Sequence, residues 1–255
     1  MSDILFLGTG AADWKIENRE SFFRRNTSAL INRELMIDCS EHIFNFKESY
    51  GDDRIYDKVT DIIITHNHED HFSKESLLKL AQTNKLRVGC HKEIKNIIGN
   101  HPNIEFVLFT PFKTEKMGEY EIIPLLANHM DIMNENSCSF HYIIKTFDSK
   151  TVFYGLDGAW FLRPSWEIMK KQKFDIMVMD CTVGDMNDWR FCEHNTIPML
   201  RIMADGIRTS GMLLENGKIV ASHFARTLHV SHEDTREVLE QMDVITAYDA
   251  MTLEF

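Results

Sequence analysis

Short apolar runs alternate along the chain with stretches whose apolar positions recur at helical spacing. The runs Ile4–Leu7 and Ile62–Ile64 predict buried strands, while Glu41–Tyr50 and Lys74–Gln82 predict amphipathic helices. The same alternation continues through both halves, with no composition break, low-complexity segment or internal repeat. We therefore predict an α/β fold that forms a single domain over residues 1–255.

Turn and cap residues refine this pattern. Asn32-Arg33 and Asp148–Lys150 each lie between two short apolar runs, which predicts two β-hairpins. Ser73 and Ser231 each precede a helical pattern and are suited to cap the first turn of a helix. The polar and aromatic stretch Trp14–Arg25 follows neither period and predicts a loop.

Composition excludes several classes of protein. The formal net charge of −11 and the scattered basic residues argue against a long nucleic acid as partner. The five cysteines are widely spaced and form no C-x-x-C pair, which favours a reducing compartment over a disulfide framework. The N-terminus has no basic segment, and no apolar run approaches membrane-spanning length. We expect a cytoplasmic protein without a membrane partner.

One heptapeptide, Thr65–His71, concentrates most of the candidate chemistry. Three imidazoles and one carboxylate, those of His66, His68, Asp70 and His71, follow the apolar run directly. Imidazole and carboxylate are metal ligands. Strand alternation would point the first two histidines in one direction, towards one metal ion, and the last two residues could reach a second. A solvated His-rich loop is the alternative, but the internal position after a strand favours a metal site.

The pattern H-x-H-x-D-H after an apolar strand resembles the metallo-β-lactamase-fold hydrolases. Leu7-Gly8-Thr9-Gly10 is similar to the opening segment of the PhnP-type phosphodiesterases and the RNase Z-like branch of that family. The motifs extend in matching order from this segment to His223, nearly the whole chain. The resemblance implies a four-layer αββα sandwich.

The resemblance also implies a dinuclear site. His66, His68 and His129 would bind one metal ion, Asp70, His71 and His223 would bind the other, and Asp157 would bridge the two. Such ligands suit Zn²⁺ or Mn²⁺, with Fe as a further option.

Several positions near this set stay open. Asp180 competes with Asp157 for the bridging role, although its D-C-T context resembles a segment that supplies a supporting acid. Asp38 resembles a family carboxylate but could equally cap its strand. Gly158 replaces the family's threonine, which removes a hydroxyl group. We assign no role to His141.

His194-Asn195-Thr196 resembles the H-x-T segment of the phosphodiesterase and RNase Z branches. By that resemblance His194 would protonate the leaving group, and its alternative role is simply to begin a helix. Asp70 would orient the attacking hydroxide. His229 and His232 are either substrate contacts or solvated loop residues.

The function implied is a dinuclear metal-dependent hydrolase that cleaves a small anionic phosphodiester, a cyclic phosphate or nucleotide-like molecule, by a metal-bridging hydroxide. A homodimer is a further expectation. The alternatives are a lactonase or thioesterase, a tRNA 3′-end endonuclease, and a non-hydrolytic metal-binding scaffold or sensor.

Overall fold

The computed structural model describes residues 1–15, 23–129 and 138–255. Within the predicted loop Trp14–Arg25, positions 16–22 lie outside these residues. The chain forms two compact units: Met1–Thr110 with Tyr248–Glu254, and Pro111–Ala247 with Phe255. The single domain over residues 1–255 stays a prediction. Across the described ranges, no helix has the length and apolar character that a membrane span requires.

The described residues form strands interspersed with helices, as the predicted α/β class requires. The strands are β1 (Asp3–Gly8), β2 (Ser28–Ile31), β3 (Leu35–Ile37), β4 (Asp61–Ile63), β5 (Leu86–Cys90), β6 (Ile104–Leu108), β7 (Glu115–Met117), β8 (Tyr120–Leu126), β9 (Phe140–Lys145), β10 (Thr151–Gly155), β11 (Phe174–Asp180), β12 (Leu213–Ser222), β13 (Ile245–Thr246) and β14 (Thr252–Glu254). The helices are α1 (Ile43–Tyr50), α2 (Lys74–Leu80), α3 (Lys92–Ile98), α4 (Arg163–Met169), α5 (Ile197–Thr209) and α6 (His232–Glu240), and a 3₁₀ helix covers Trp189–Cys192.

The first unit is built on one mixed sheet with the strand order β14-β1-β2-β3-β4-β5-β6. Neighbours are antiparallel from β14 to β3 and parallel from β3 to β6. The three-residue connection between β2 and β3 begins with Asn32 and Arg33, whose φ angles of 52° and 59° are both left-handed, as in a type I′ turn. The hairpin predicted there is confirmed.

Helices α1, α2 and α3 pack on one face of this sheet. Their apolar residues, such as Phe46, Leu77 and Ile94, join strand residues such as Ile62 and Val88 in one buried cluster. Ser73 begins α2 as predicted, because its side chain accepts a hydrogen bond from the backbone N–H of Ser76.

The second unit repeats the same pairing pattern. Its sheet has the order β13-β12-β11-β10-β9-β8-β7, antiparallel from β7 to β10 and parallel from β10 to β13. Helices α4, α5 and α6 contribute Met169, Leu200 and Leu239 to its apolar cluster, which also contains Phe153 and Met177 from the strands.

This topology brings the ends of several strands to one edge of the second sheet. β10, β11 and β12 are parallel neighbours, so their carboxyl ends meet at the same edge. β8 runs in the same direction, because it and β10 are both antiparallel to β9. Ligands of α/β sheets bind at such an edge, so the residues that follow these four strands are candidate site residues.

A buried carboxylate ties the last strand of the chain to the first. The Asp249 carboxylate accepts hydrogen bonds from the backbone N–H and hydroxyl of Thr9, at 3.1 and 2.9 Å. It also accepts from the backbone N–H and guanidinium of Arg25, at 2.8 and 3.1 Å. These contacts hold the segment before β14 against the Gly8-Thr9-Gly10 turn.

We predict that Asp249→Ala lowers the free energy of unfolding by about 3 kcal/mol, because it leaves buried donors and a buried guanidinium without their acceptor. Urea unfolding followed by circular dichroism measures this loss. Asp57→Ala is the matched control, since Asp57 pairs with Arg54 on the exposed surface. Equal effects of the two substitutions would contradict the prediction.

Candidate metal centre

The histidine-rich segment of the first unit lies on a loop. β4 ends at Ile63, before the first histidine, so the loop that follows, and not strand alternation, orients His66 and His68. The loop itself brings the rings together. The ring centroid of His66 lies 4.6 Å from that of His68 and 4.4 Å from that of His71.

Asp38 organises this loop from the end of β3. Its buried carboxylate accepts hydrogen bonds from the backbone N–H of Thr65 at 2.8 Å and from Nδ1 of His71 at 2.7 Å. The Thr65 hydroxyl lies 2.9 Å from Asp38 Oδ1 and 2.9 Å from Nδ1 of His66. It therefore donates to the carboxylate and accepts from the imidazole, which places the proton on Nδ1 and the lone pair on Nε2.

His71 and Asp70 present neighbouring ligand atoms. Nε2 of His71 lies 3.8 Å from Oδ2 of Asp70, and both residues are buried. Because the Nδ1 proton of His71 is held by Asp38, Nε2 is the nitrogen suited to a metal ion. The loop of the first unit thus contains four residues predicted to be metal ligands: His66, His68, Asp70 and His71.

A cavity of about 470 Å³ lies beside Asp70 in the same unit. Trp14, Asn26 and His42 contribute to its lining, together with the acidic residues Glu41 and Glu69. A volume of this size falls within the range of small-molecule sites.

The second unit places its predicted residues at the sheet edge identified above. His129 follows β8, Asp157 follows β10, Asp180 is the last residue of β11, and His223 follows β12. Ligand atoms of Asp157, Asp180, His194 and His223 all lie within 4.8 Å of one another, and the four residues are buried. The fold therefore brings together residues that lie up to 66 positions apart in the sequence.

Two imidazoles converge on the Asp157 carboxylate. Nε2 of His223 lies 2.9 Å from Oδ1, and Nε2 of His129 lies 3.3 Å from Oδ2. Each oxygen of Asp157 thus faces one histidine nitrogen, as expected where a single carboxylate and two imidazoles share a metal environment.

Asp180 faces hydrogen-bond donors of the chain itself. Oδ1 accepts from the backbone N–H groups of Thr182 at 3.1 Å and Asn195 at 2.8 Å. Oδ2 accepts from the backbone N–H of Asp157 at 3.2 Å, the Thr182 hydroxyl at 2.8 Å and Nδ1 of His194 at 3.0 Å. Five donors satisfy this carboxylate, so its geometry suits a supporting role better than a bridging one.

Charge balance keeps Asp180 ionised. Burial by itself would raise the pKa of Asp180, but the charges of His194 and His223 and the hydrogen bond from His194 outweigh it and lower the pKa. Conversely, burial would lower the pKa of His194, yet the Asp180 carboxylate raises it. The pair is therefore stabilised as carboxylate and imidazolium.

Thr182 links the two histidines of this group. Its hydroxyl donates to Asp180 and lies 2.7 Å from Nδ1 of His223, which places the imidazole proton on Nδ1 and the lone pair on Nε2. The rings of His194 and His223 stack at 5.6 Å with an interplanar angle of 14°. The His129 ring lies 4.9 Å from that of His194.

Three of these positions have unusual backbone conformations. Asp38, Asp157 and His223 have φ angles of 59°, 56° and 62°, in the left-handed region that residues other than glycine rarely occupy. Each directly follows or nearly follows the end of a strand. Such strain concentrates at functional sites, where the surrounding contacts hold it in place.

The ligand chemistry fits divalent metal ions. Buried imidazoles with Nδ1 held by an oxygen, next to buried carboxylates, are the ligand set that Zn²⁺, Mn²⁺ or Fe would take. His229 is engaged elsewhere, because its Nε2 donates to the Cys181 carbonyl at 2.8 Å. His232 is the first residue of α6.

One residue that sequence analysis passed over also supports the site. His141, on β9, is buried, and its Nε2 donates to the backbone carbonyl of Asp157 at 3.3 Å. Burial lowers the pKa of His141 to about 4, so the ring is neutral near pH 7. A Cβ atom at Gly158 would lie 2.6 Å from this Nε2. The imidazole therefore fills the space that a threonine would need at position 158.

Comparison with solved structures identifies the fold. YhfI, a metallo-β-lactamase fold protein from Bacillus subtilis, has a TM-score of 0.75 at 16% identity and covers 100% of this chain and 99% of its own. A diphosphatase from the PhnP family has a TM-score of 0.75 at 16% identity, with 100% and 98% covered. Zn²⁺-bound PqqB from Methylobacterium extorquens has a TM-score of 0.74 at 13% identity, with 99% and 100% covered.

The chain therefore has the metallo-β-lactamase fold, and the predicted fold class is confirmed. No protein-family model and no curated protein matches the sequence. The fold and the buried His/Asp clusters together fit a metal-dependent hydrolase.

The contact between His141 and position 158 can be tested by a double-mutant cycle. We predict that Gly158→Ala destabilises the protein by about 1–3 kcal/mol, because the new methyl group overlaps the imidazole. In a His141→Ala background the same substitution should cost close to nothing, since the ring is gone. Urea unfolding of the four proteins measures the coupling.

Gly206 provides the control for this cycle. It lies within α5, where an added Cβ meets no atom within 4 Å. Gly206→Ala should therefore stabilise the helix by up to about 1 kcal/mol, with or without His141. If Gly158→Ala behaved like Gly206→Ala, the steric argument would be wrong.

Proposed function

We propose that this protein is a dinuclear metal-dependent phosphodiesterase that acts on a small anionic diester, such as a cyclic phosphate or a nucleotide-like molecule. The observation that carries the proposal is the arrangement in the second unit. His194, held by Asp180, lies beside the pair formed by Asp157 and His223. A proton donor next to metal ligands is what cleavage of a bond to an alkoxide leaving group requires.

The proposal keeps the metal ligands that the family resemblance implies. His66, His68 and His129 would hold one ion, Asp70, His71 and His223 the other, and Asp157 would bridge them. The tautomers assigned above support this scheme, because Nε2 carries the lone pair in His66, His71 and His223. When bound, two divalent ions would supply Lewis-acid stabilisation of the phosphoryl oxygens and lower the pKa of a water molecule.

The chain's own residues would complete the reaction. Asp70 would orient the attacking water through its carboxylate. His194 would give its Nε2 proton to the leaving oxygen as the phosphorus–oxygen bond breaks, while Asp180 keeps the imidazole in position through Nδ1. Asp38 and Thr65 would hold His71 and His66 at fixed angles throughout.

The comparisons support phosphorus as the electrophile. One of the solved structures that share the fold is a diphosphatase, and the H-x-T segment at His194 matches the pattern of the phosphodiesterase branch. The net charge of −11 favours a small substrate over tRNA. A cytoplasmic location, a homodimer and the absence of a membrane partner stay predictions.

A panel of substrates tests the proposal. The protein, reconstituted with Zn²⁺ or Mn²⁺, is assayed with bis(p-nitrophenyl) phosphate, a lactone and a thioester. We expect hydrolysis of the diester alone, abolished by a chelator and restored by metal. Turnover of the carbonyl esters alone would replace the proposal with a lactonase or thioesterase, and inactivity with full metal loading would favour a scaffold or sensor.

The role of His194 has a separate test. In His194→Ala, we predict that turnover of a diester with an alkyl leaving group falls by about 100-fold or more, because an alkoxide needs a proton to depart. A p-nitrophenyl leaving group should be affected less than about tenfold, since it departs as a stable anion. His101→Ala, in the turn before β6, is the matched histidine control. Loss of bound metal in His194→Ala would instead make His194 a ligand.

A further inference from the structure

Three exposed aromatic side chains of the second unit belong to segments that lie near the proposed metal ligands and proton donor in the sequence. Trp160 is 41% exposed, Trp189 is 69% exposed and Phe191 is 57% exposed. Trp160 lies three residues after Asp157, and the other two lie in the 3₁₀ helix that precedes His194. We refer to Trp160, Trp189 and Phe191 as the aromatic rim. Large apolar side chains on a surface commonly mark a binding site when they cluster.

Two buried or half-buried amides tie the segments of the rim together. Nδ2 of Asn128 donates to the carbonyl of Ala159 at 2.9 Å and to that of Cys192 at 3.3 Å. Oδ1 of Asn195 accepts the backbone N–H of Trp160 at 2.9 Å. The two segments therefore lie side by side, each within one residue of a rim aromatic.

The same contacts connect the rim to the site. Asn195 is buried, and its backbone N–H donates to Asp180, the carboxylate that also holds His194. Asn128 directly precedes His129. Trp160 is thus positioned by the same hydrogen-bond network that positions the proposed proton donor.

The backbone at Trp160 is strained, and its side chain is partly exposed. Its φ angle of 58° lies in the left-handed region, which a bulky residue rarely adopts. The next residue, Phe161, packs inward, with its ring 5.6 Å from that of Phe153 and 5.9 Å from that of Trp166. At this turn the Phe161 ring packs against the core, whereas the Trp160 ring is partly exposed to solvent. Strain held at such a position indicates function.

We propose that the aromatic rim, and Trp160 in particular, binds a flat aromatic group of the substrate, such as a nucleobase or an aryl ester arm. A planar π-system is the ligand that exposed aromatic rings recognise without hydrogen-bond specificity. The inference rests on the proposed function, since it places the aromatic group on an ester whose phosphorus lies at the metal centre. It narrows the substrate from any small phosphodiester to one with an aromatic substituent.

Two diesters with the same leaving group test the rim. Bis(p-nitrophenyl) phosphate and methyl p-nitrophenyl phosphate differ only in the second arm, aryl or methyl. We expect the wild type to favour the aryl arm, and Trp160→Asn to lower kcat/KM for the diaryl ester by about tenfold through KM, with the methyl ester unchanged. Asparagine removes the ring but tolerates the left-handed backbone.

Two further variants complete the comparison. Trp160→Phe should keep the preference for the aryl arm, because an aromatic ring remains. Phe147→Asn is the matched control, since Phe147 is 59% exposed but lies in the β9–β10 hairpin, at the opposite edge of the sheet from the ligands. If Trp160→Asn kept the preference for the aryl arm, or if Phe147→Asn lost it equally, the rim would not be the binding site of the aryl group.

A binding measurement separates this inference from the proposed function. Calorimetric titration with AMP and with ribose 5-phosphate compares a phosphate with and without a base. Tighter binding of AMP, weakened about tenfold by Trp160→Asn, supports the rim even if no diester is hydrolysed. Diester hydrolysis with equal affinity for both ligands supports the proposed function and overturns the rim. A dimer that dissociates in Trp160→Asn, with ligand preference unchanged, would overturn it in favour of self-association.

Discussion

The candidate site depends on two buried carboxylates that hold imidazole rings by their Nδ1 atoms. Asp38 in the first unit binds His71 and, through Thr65, His66. Asp180 in the second unit binds His194 and, through Thr182, His223. In each case an aspartate and a threonine hydroxyl hold Nδ1 of the imidazoles. This leaves a lone pair on Nε2 of His66, His71 and His223, and a proton on Nε2 of His194. Without these anchors, the histidines would be ordinary loop residues with two tautomers and several rotamers.

The sheets explain why both units can build such an anchor. Each has three antiparallel pairings followed by three parallel ones, and each anchoring aspartate lies at the carboxyl end of a strand in the parallel part. The strand fixes the aspartate, and the loops that leave neighbouring strands bring hydrogen-bond donors to it. Left-handed backbone at Asp38, Asp157 and His223 turns the chain sharply at these ends. The fold thus concentrates polar side chains where the apolar strands stop.

Local signals in the sequence predicted much of this arrangement. Apolar runs marked strands such as β1 and β4, and Asn32-Arg33 marked a hairpin turn. The candidate ligands were named from the family resemblance, and their role as ligands stays a prediction. The first half of β12 was not predicted, because the polar tripeptide Glu215-Asn216-Gly217 interrupts the apolar residues and is typical of a turn. The roles of Thr182 and His141 could not be predicted from the sequence, for a different reason. Their partners lie 41 and 16 residues away, and no local pattern encodes such a contact.

In the proposed site, the chain would hold two metal ions, with Asp157 as their shared ligand and Asp180 in support. The most direct measurement is the number of Zn²⁺ or Mn²⁺ equivalents bound per chain, by elemental analysis after reconstitution and desalting, in the wild type, Asp157→Ala and Asp180→Ala. The account predicts two equivalents in the wild type, a loss in Asp157→Ala, and retention with about 10–100-fold weaker affinity in Asp180→Ala. Two equivalents in Asp157→Ala together with a lost ion in Asp180→Ala would reverse the two roles and contradict the account.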